Sequence, residues 1–190
     1  MTRELAKFLG KKERRRSSLG KGDVRDSLGL AKNPKIVSYF ARHGDRKVIF
    51  SGIVMKVNRK NKMQQRVALV SGHVNQNADD NALYNLEPGS LKCKRRIAFN
   101  SMSHLSLSTL PDNFFVVHVP AEYDYVLISQ DKVELITRLM EAFEEAIESS
   151  LRINFENKIE FRIDQSQYRE IEFHHAEEGI TTQIFSKKKR

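Results

Sequence analysis

The hydrophobic period of the sequence changes near residue 130, and this change constrains the fold more than any other feature. Before it, short segments rich in Val, Ile, Leu and aromatic residues follow one another at close spacing. In several of them apolar and polar residues alternate, as is typical of strands buried on one face. Seven strands are predicted, over residues 48–58, 63–70, 81–86, 92–99, 103–109, 115–119 and 123–127. Such a series favours an antiparallel sandwich or barrel.

After residue 130 the period becomes helical. Apolar residues from Val133 to Ile147 recur three and four positions apart, which predicts one amphipathic helix over residues 131–148. Asp131 and Glu134 are predicted to form a capping pair at its start. Seven strands followed by one helix resemble the element order of a pleckstrin-homology-like barrel, in which the helix closes one open end. Three further alternating segments are expected to extend the barrel sheet: residues 158–163, 169–174 and 180–185.

The N-terminal part of the chain predicts elements outside the barrel. Residues 3–16 have the pattern of a short basic helix. Asn33 as N-cap and Pro34 at the first helical position predict a second short helix that packs on the core. The expected organisation is a basic N-terminal extension over residues 1–30, a folded domain over residues 31–186 and a basic tail over residues 187–190.

Positive charge is concentrated in the first half of the chain. Residues 1–100 carry 23 Lys and Arg against 8 Asp and Glu, whereas residues 101–180 carry 6 against 16. This asymmetry favours one basic face over a chain that coats nucleic acid throughout its length. The first predicted hairpin has five cations and no acid from position 56 to position 66, namely Lys56, Arg59, Lys60, Lys62 and Arg66.

The excess charge of the hairpin predicts binding of closely spaced anionic groups, such as lipid headgroups, other phosphates or an acidic protein face. Near an anionic leaflet each Lys or Arg contributes about 1 kcal/mol, so five contribute about 5 kcal/mol. A second basic cluster is open to two interpretations, a solvated strand face or a further anion-binding patch. It consists of Lys92, Lys94, Arg95 and Arg96.

Motifs for catalysis and for cofactors are absent from the sequence. No glycine-rich phosphate loop occurs, and no His lies at zinc-ligand spacing from another His or from Cys93, so no enzyme, cofactor or metal site is predicted. The single cysteine suits a reducing cytosol. No apolar run reaches the length of a membrane-spanning helix and no lipid-anchor signal is present, which predicts a cytoplasmic protein with peripheral membrane contact.

The segment KCKRRIAFNSMSHLSLSTLPDNFFVVHVPAEYDYVL, residues 92–127, is the most distinctive part of the sequence. It resembles the tail homology 1 domain of class I (unconventional) myosins, and the similarity covers most of residues 11–175. The resemblance implies a pleckstrin-homology-like domain that binds anionic phospholipids, including phosphatidylserine and phosphoinositides, and that links an actin motor to membranes at the actin-rich cortex. Lys56 and Arg66 correspond to lipid-contacting residues of that family.

Three departures from the family pattern affect these expectations. Gln64 stands where the general pleckstrin-homology signature has a Lys or Arg, which favours binding of acidic membranes in general over recognition of one headgroup. Residues 71–80 form a longer loop than the family's usual connection. The motor and neck are missing, so any motor ATPase would belong to a longer parent chain.

In addition, Ser17 and Ser18 follow three arginines, a pattern that basophilic kinases use.

Two other functions remain open. One is a protein-interaction adaptor module of the actin cytoskeleton without direct lipid binding, because the C-terminal strands could offer a sheet edge to a peptide. The other is nucleic-acid binding through the basic half. It is less favoured, because no RNP-like or zinc-finger motif occurs and few aromatic residues are interleaved with the cations.

Overall fold

The computed structural model describes residues 24–72 and 81–187. The predicted helix over residues 3–16, the serines at positions 17 and 18, most of the 71–80 loop and the last three residues lie outside the described residues. No helix in the described part of the chain is both long enough and apolar enough to cross a membrane.

Twelve strands and two α-helices form within the described residues. In chain order they are β1 Arg25–Asp26, α1 Pro34–His43, β2 Lys47–Val57, β3 Met63–Gly72, β4 Ala82–Leu86, β5 Cys93–Ala98, β6 His104–Leu107, β7 Phe114–His118, β8 Tyr125–Ile128, α2 Lys132–Ile147, β9 Ile153–Phe155, β10 Lys158–Arg162, β11 Tyr168–Ala176 and β12 Gly179–Lys187. The seven strands predicted before residue 130 are β2 to β8, and the predicted amphipathic helix is α2.

The barrel is built from β2 to β8, which are hydrogen-bonded in the order β5-β4-β3-β2-β8-β7-β6. Its two halves, β2–β5 and β6–β8, meet where β2 pairs with β8 over two residues, Met55 with Ile128 and Lys56 with Leu127. Side chains from both halves and from α2 share one buried core. The predicted pleckstrin-homology-like barrel with a C-terminal capping helix is therefore confirmed.

The start of α2 differs from the predicted capping pair. Asp131 makes no side-chain capping bond, and its backbone N–H donates to Ser129 Oγ at 3.1 Å. Glu134 is buried and forms an ion pair with Arg25 at 2.8 Å. The prediction of a capping pair is wrong, because Glu134 instead binds Arg25. The local sequence pattern could not indicate this partner.

α1 covers the outer face of the first half of the barrel. Asn33 caps the helix by accepting a hydrogen bond from the backbone N–H of Lys35 at 3.0 Å, and Pro34 occupies the first helical position, as predicted. Ile36 and Phe40 are buried against outward-facing side chains of β2, β3 and β4. α1 is therefore a fixed part of the barrel wall.

β10, β11 and β12 form a separate three-stranded sheet, so the prediction that they extend the barrel sheet is wrong. Their apolar face, which includes Phe161 and Ile171, packs on Val116 and Val126 of the second half of the barrel. Stacking face to face buries the alternating apolar residues of both sheets, which pairing edge to edge would not do. The barrel sheet is extended instead by β9, which pairs in parallel with β6.

Candidate anion-binding site

The tip of the β2–β3 hairpin is fixed by Asn58. Its Oδ1 accepts hydrogen bonds from the backbone N–H groups of Lys60 at 2.8 Å and Lys62 at 3.0 Å. Asn61 has a φ of 57°, a left-handed conformation that Asn adopts more readily than most residues. The turn thereby holds the exposed side chains of Arg59, Lys60 and Lys62 at one end of the barrel.

Arg169 of β11 attaches this tip to the C-terminal sheet. Its guanidinium donates to the backbone oxygen of Arg59 at 2.6 Å and to Asn61 Oδ1. Because the two bonds come from one planar guanidinium, they fix both the position and the orientation of the tip. The cations of the hairpin are therefore held relative to the barrel rather than only relative to each other.

Lys56 lies at the hairpin end of β2 and faces the barrel interior. Strand alternation places it on the same face as Phe50 and Val54, which belong to the central core. Its Nζ is 3.4 Å from the Tyr123 hydroxyl oxygen and lies 5.1 and 4.9 Å from the ring centroids of Tyr123 and Tyr125. These distances are those of cation–π contacts, so two aromatic rings hold the ammonium group at the mouth of the barrel.

Arg59 contacts the same aromatic side chain from the tip of the hairpin. Its guanidinium carbon is 5.2 Å from the Tyr123 ring centroid. Burial would raise the pKa of Tyr123, but the hydrogen bond with Tyr125 and the charge of Lys56 outweigh it and hold this pKa below its usual value. Tyr123 therefore links a cation of the strand to a cation of the turn.

Arg66 lies on β3 and shares the interior face with Lys56. β3 pairs with β2 so that Arg66 is opposite Val54 and Gln64 is opposite Lys56, which places Arg66 on the diagonal from Lys56. The Arg66 guanidinium donates to Gln64 Oε1 at 2.9 Å and to the Gln65 backbone oxygen at 2.8 Å. Gln64 therefore orients Arg66, a role that its position in the sequence did not indicate.

We call the five hairpin cations the basic rim: Lys56, Arg59, Lys60, Lys62 and Arg66. The structure brings Lys56 and Arg66 together on the interior face, places Arg59 against Tyr123, and leaves Lys60 and Lys62 exposed at the tip. In the basic rim, neighbouring side chains therefore hold some cations in place. The exposed cations contribute mainly a positive electrostatic potential.

The cations of the second basic cluster contact different partners and do not share one surface. Arg95 faces the barrel mouth, where it donates to Glu122 Oε2 at 2.6 and 2.9 Å and to the Tyr125 hydroxyl at 3.1 Å. Lys94 pairs with Glu87 at 3.1 Å. Lys92 is exposed. Alternation along β5 is the reason why neighbouring cations reach different partners.

Arg96 lies on the outer face of the barrel, beneath α1. Its Nε is 3.4 Å from Asp45 Oδ2 and 3.1 Å from the Tyr84 hydroxyl, and its guanidinium carbon is 5.7 Å from the Tyr84 ring centroid. Ser71 and Tyr84 also donate hydrogen bonds to the buried Asp45 carboxylate. These contacts tie Arg96 to the packing of the wall rather than to the mouth of the barrel.

The acidic side of the mouth is formed by Glu122. The Tyr125 hydroxyl donates to its carboxylate at 3.0 Å, and burial raises the pKa of Tyr125, with the hydrogen bond to Tyr123 and the charge of Glu122 raising it further. Tyr125 therefore stays protonated. Glu122 neutralises Arg95, so that cation adds less to the positive field than an unpaired arginine would.

Sequence reasoning missed the residues that line the mouth from the second half of the barrel. Tyr123 and Tyr125 were predicted only as strand residues, and Glu122 was not singled out. The sequence does indicate that the two tyrosines lie on the same side, because residues two apart in an extended segment project to the same side. Nothing local indicates that this side faces Lys56, since the contact joins positions that are 67 residues apart.

Comparison with known proteins relates most of the chain to one family. The sequence model of a family described as "Unconventional myosin tail, actin- and lipid-binding" matches residues 14–190. The chain is 29% identical over 182 residues to myosin IB heavy chain of Dictyostelium discoideum, which covers 92% of this chain and 16% of that protein. It is also 29% identical over 188 residues to myosin heavy chain IB of Acanthamoeba castellanii, covering 95% and 16%. The chain thus spans about one sixth of the length of these relatives.

Among solved structures, the carboxyl-terminal PH domain of pleckstrin superposes with a TM-score of 0.42 at 17% identity, covering 51% of this chain and 97% of that domain.

Proposed function

We propose, since this chain belongs to the unconventional myosin tail family, that its basic rim binds anionic phospholipids and thereby attaches a class I myosin to membranes. The family is described as actin- and lipid-binding, and the chain is a tail domain rather than the motor head. The motor, its ATPase and its attachment to the actin-rich cortex would come from a longer parent chain. The lipids proposed are phosphatidylserine and phosphoinositides.

The observation that carries this proposal is the convergence of Lys56, Arg59 and Arg66 at one end of the barrel, two of them held by Tyr123. Lys60 and Lys62 extend the positive charge beyond the strands. Five cations at about 1 kcal/mol each contribute about 5 kcal/mol to partitioning onto an anionic leaflet. This corresponds to a preference of several thousand-fold over a neutral surface, on the scale of about 1.4 kcal/mol per tenfold.

Two side chains argue for recognition of membrane charge rather than of one headgroup. Gln64 replaces a potential cation and uses its oxygen to orient Arg66. Glu122 neutralises Arg95 at the mouth. Both features reduce the number of donors that could converge on the several phosphates of one phosphoinositide. We therefore propose that the rim senses acidic membranes, with phosphoinositides bound in proportion to their charge.

We further propose residues 31–186 as the tail domain, with residues 1–30 as a basic extension and residues 187–190 as a basic tail. The end of the extension contacts the domain. β1 pairs with β2, and Asp26 accepts hydrogen bonds from Ser51 Oγ at 2.5 Å and from the backbone N–H of Leu30 at 2.9 Å. A force transmitted along the extension would therefore reach the barrel near the middle of β2.

Co-sedimentation of the chain with vesicles tests the proposed function. We expect binding to phosphatidylserine vesicles and to phosphatidylinositol bisphosphate vesicles of matched net charge, and little binding to neutral phosphatidylcholine. Binding should weaken as salt is raised, because the Debye length shortens from about 10 Å at 0.1 M to about 3 Å at 1 M.

Equal binding to neutral vesicles, or binding that ignores salt, would contradict the proposal. Exclusive binding to phosphatidylinositol bisphosphate at matched charge would show headgroup recognition instead. A stoichiometric protein partner without any vesicle binding would favour the alternative function, a protein-interaction adaptor module of the actin cytoskeleton.

A further inference from the structure

β12 is an edge strand that no charged residue protects along most of its length. Across residues 24–72 and 81–187 it pairs with β11 alone, so the backbone groups along its other side meet no described strand. From Gly179 to Ser186 it contains no Lys, Arg, Asp, Glu or Pro. Natural proteins commonly place such residues on exposed edges, because an unprotected edge pairs with other strands. The free side of β12 is therefore suited to accept an added strand.

The other strands at the ends of the two sheets are shorter or carry charge. β5 has three cations among six residues, and β9 has only three residues. β10 has three charged residues among five, and Asp124 also occupies its backbone at Arg162. The Asp124 N–H donates to the Arg162 backbone oxygen at 2.8 Å, and the Arg162 N–H donates to Asp124 Oδ2 at 2.8 Å. Among these ends, β12 with its nine residues is the longest.

Charges of opposite sign mark the two ends of β12. Glu177 and Glu178 are exposed in the turn that precedes the strand. The strand ends at Lys187, and three further cations follow it in the sequence. An antiparallel strand with the same order of charges brings acid to base at both ends, and opposite charges that face each other across strands are stabilising. β12 of a second copy has this order, so the edge is complementary to itself in charge.

We propose that two copies of the chain associate by antiparallel pairing of their β12 strands about a two-fold axis at Gln183. Gln183 is the midpoint of Gly179–Lys187, so this register pairs the whole strand. It places Thr182 opposite Ile184 of the second copy and joins the two three-stranded sheets into one of six strands. Because both copies use the same surface, the association closes at the dimer.

The side chains on both faces of β12 suit this register. Phe185 is 43% exposed on the outer face, and in the dimer it packs across the joint on Thr181 of the second copy. Ile184 points to the inner face, where it packs with the apolar residues between the sheet and the barrel. A groove of about 500 Å³ lies on that side, lined by Phe114, Thr182 and others. Pairing therefore covers Phe185 and adds an apolar side chain next to Thr182.

The dimer is expected to be weak. One pair of nine-residue strands buries less surface than the roughly 1,200 Å² at the lower limit of stable interfaces. We therefore expect monomers at about 10 µM and a substantial share of dimers at about 0.5 mM. The proposal uses no residue of the basic rim, so it holds whether or not the rim binds lipid.

Sedimentation equilibrium of the chain from about 10 µM to about 1 mM tests the proposal through charge changes at the two-fold axis. Gln183→Lys and Gln183→Glu each place two like charges opposite one another in the dimer. Gln183 is exposed on the outer face, so neither change enters the core. Gln165→Lys is the matched control, because it makes the same change in charge in the exposed β10–β11 loop.

We expect each Gln183 variant alone to associate about fivefold more weakly than the wild type, the size typical of like charges directly opposite across strands. An equal mixture of the two variants should associate at least as well as the wild type, because Lys then faces Glu. The mixture also shows that both variants are folded. Gln165→Lys should behave as the wild type does.

The proposal is overturned if the wild type remains monomeric at about 1 mM. It is also overturned if the Gln183 variants associate as the wild type does, or if their mixture associates no better than either variant alone. Assemblies that grow beyond the dimer would contradict the closed two-fold arrangement. Loss of vesicle binding with dimerisation intact would count against the proposed function alone, so the two failures are distinguishable.

Discussion

Replacing Lys56 and Arg66 together by alanine is expected to weaken binding to phosphatidylserine vesicles about thirtyfold at physiological salt. Each cation near an anionic leaflet contributes about 1 kcal/mol, so their joint loss costs about 2 kcal/mol. This corresponds to roughly 30-fold at about 1.4 kcal/mol per tenfold. The two side chains are the rim cations on the interior face of the barrel, where Gln64 and the two tyrosines orient them. Vesicle co-sedimentation over a range of lipid concentrations measures the change.

The control for this prediction removes the same charge from another surface. Arg42→Ala together with Arg46→Ala also takes away two exposed cations, but beside the start of β2, about 30 Å along that strand from its hairpin end. We expect this variant to partition onto vesicles as the wild type does. If the Lys56 and Arg66 variant bound as tightly as this control, the assignment of the rim as the lipid site would be wrong.

Replacing Arg96 by alanine is expected to lower the free energy of unfolding by about 2–3 kcal/mol. Arg96 is the cation nearest the Asp45 carboxylate, which has no exposed side-chain surface. Removing one partner of a buried ion pair typically costs about 3–5 kcal/mol, and the hydrogen bonds from Ser71 and Tyr84 to Asp45 reduce that cost here. Urea denaturation measures the change.

The effect of Arg96→Ala should depend on pH. Burial raises the pKa of Asp45 above its usual value, and hydrogen bonds from Ser71 and Tyr84 and the charge of Arg96 act against that rise. Without Arg96 the folded-state pKa rises further. A carboxyl group with a raised folded-state pKa destabilises the fold fully above that pKa, and the penalty shrinks as pH falls from the folded-state pKa towards the unfolded-state pKa. The stability difference between variant and wild type should therefore narrow in acid.

Lys94→Ala provides the control on the same strand. Lys94 pairs with Glu87 across an exposed contact, with 38% and 39% of the two side chains accessible. Exposed pairs contribute about 0–1 kcal/mol, so this variant should unfold close to the wild type. Equal denaturation midpoints for Arg96→Ala and Lys94→Ala would show that Arg96 does not stabilise the wall of the barrel.

The barrel could be predicted from the sequence because each strand carries its own signal. Alternating apolar residues identify strands, and the change to a helical period identifies α2. The arrangement of the C-terminal strands could not be predicted in the same way. Alternation shows that Ile159 and Phe161 share an apolar face, but it does not show whether that face continues a sheet or stacks on Val116 of another sheet. β9 was missed because three residues are too few to show a period.

The residues of the candidate site also differ in whether the local sequence indicates them. Lys56 and Arg66 could be found in the sequence because the charge of the hairpin exceeds what a turn requires. Their aromatic neighbours could not, since Tyr123 and Tyr125 approach Lys56 only through the β2–β8 junction.

The most direct test of the lipid site maps backbone amide chemical shifts of the chain by NMR during titration with small phosphatidylserine-containing bicelles. We expect the largest shifts at residues 56–66 and at Tyr123, with little change at residues 42–47, which lie at the other end of β2. That pattern would place the membrane at the basic rim. Shifts that are largest at residues 42–47, with residues 56–66 unchanged, would contradict the proposed function.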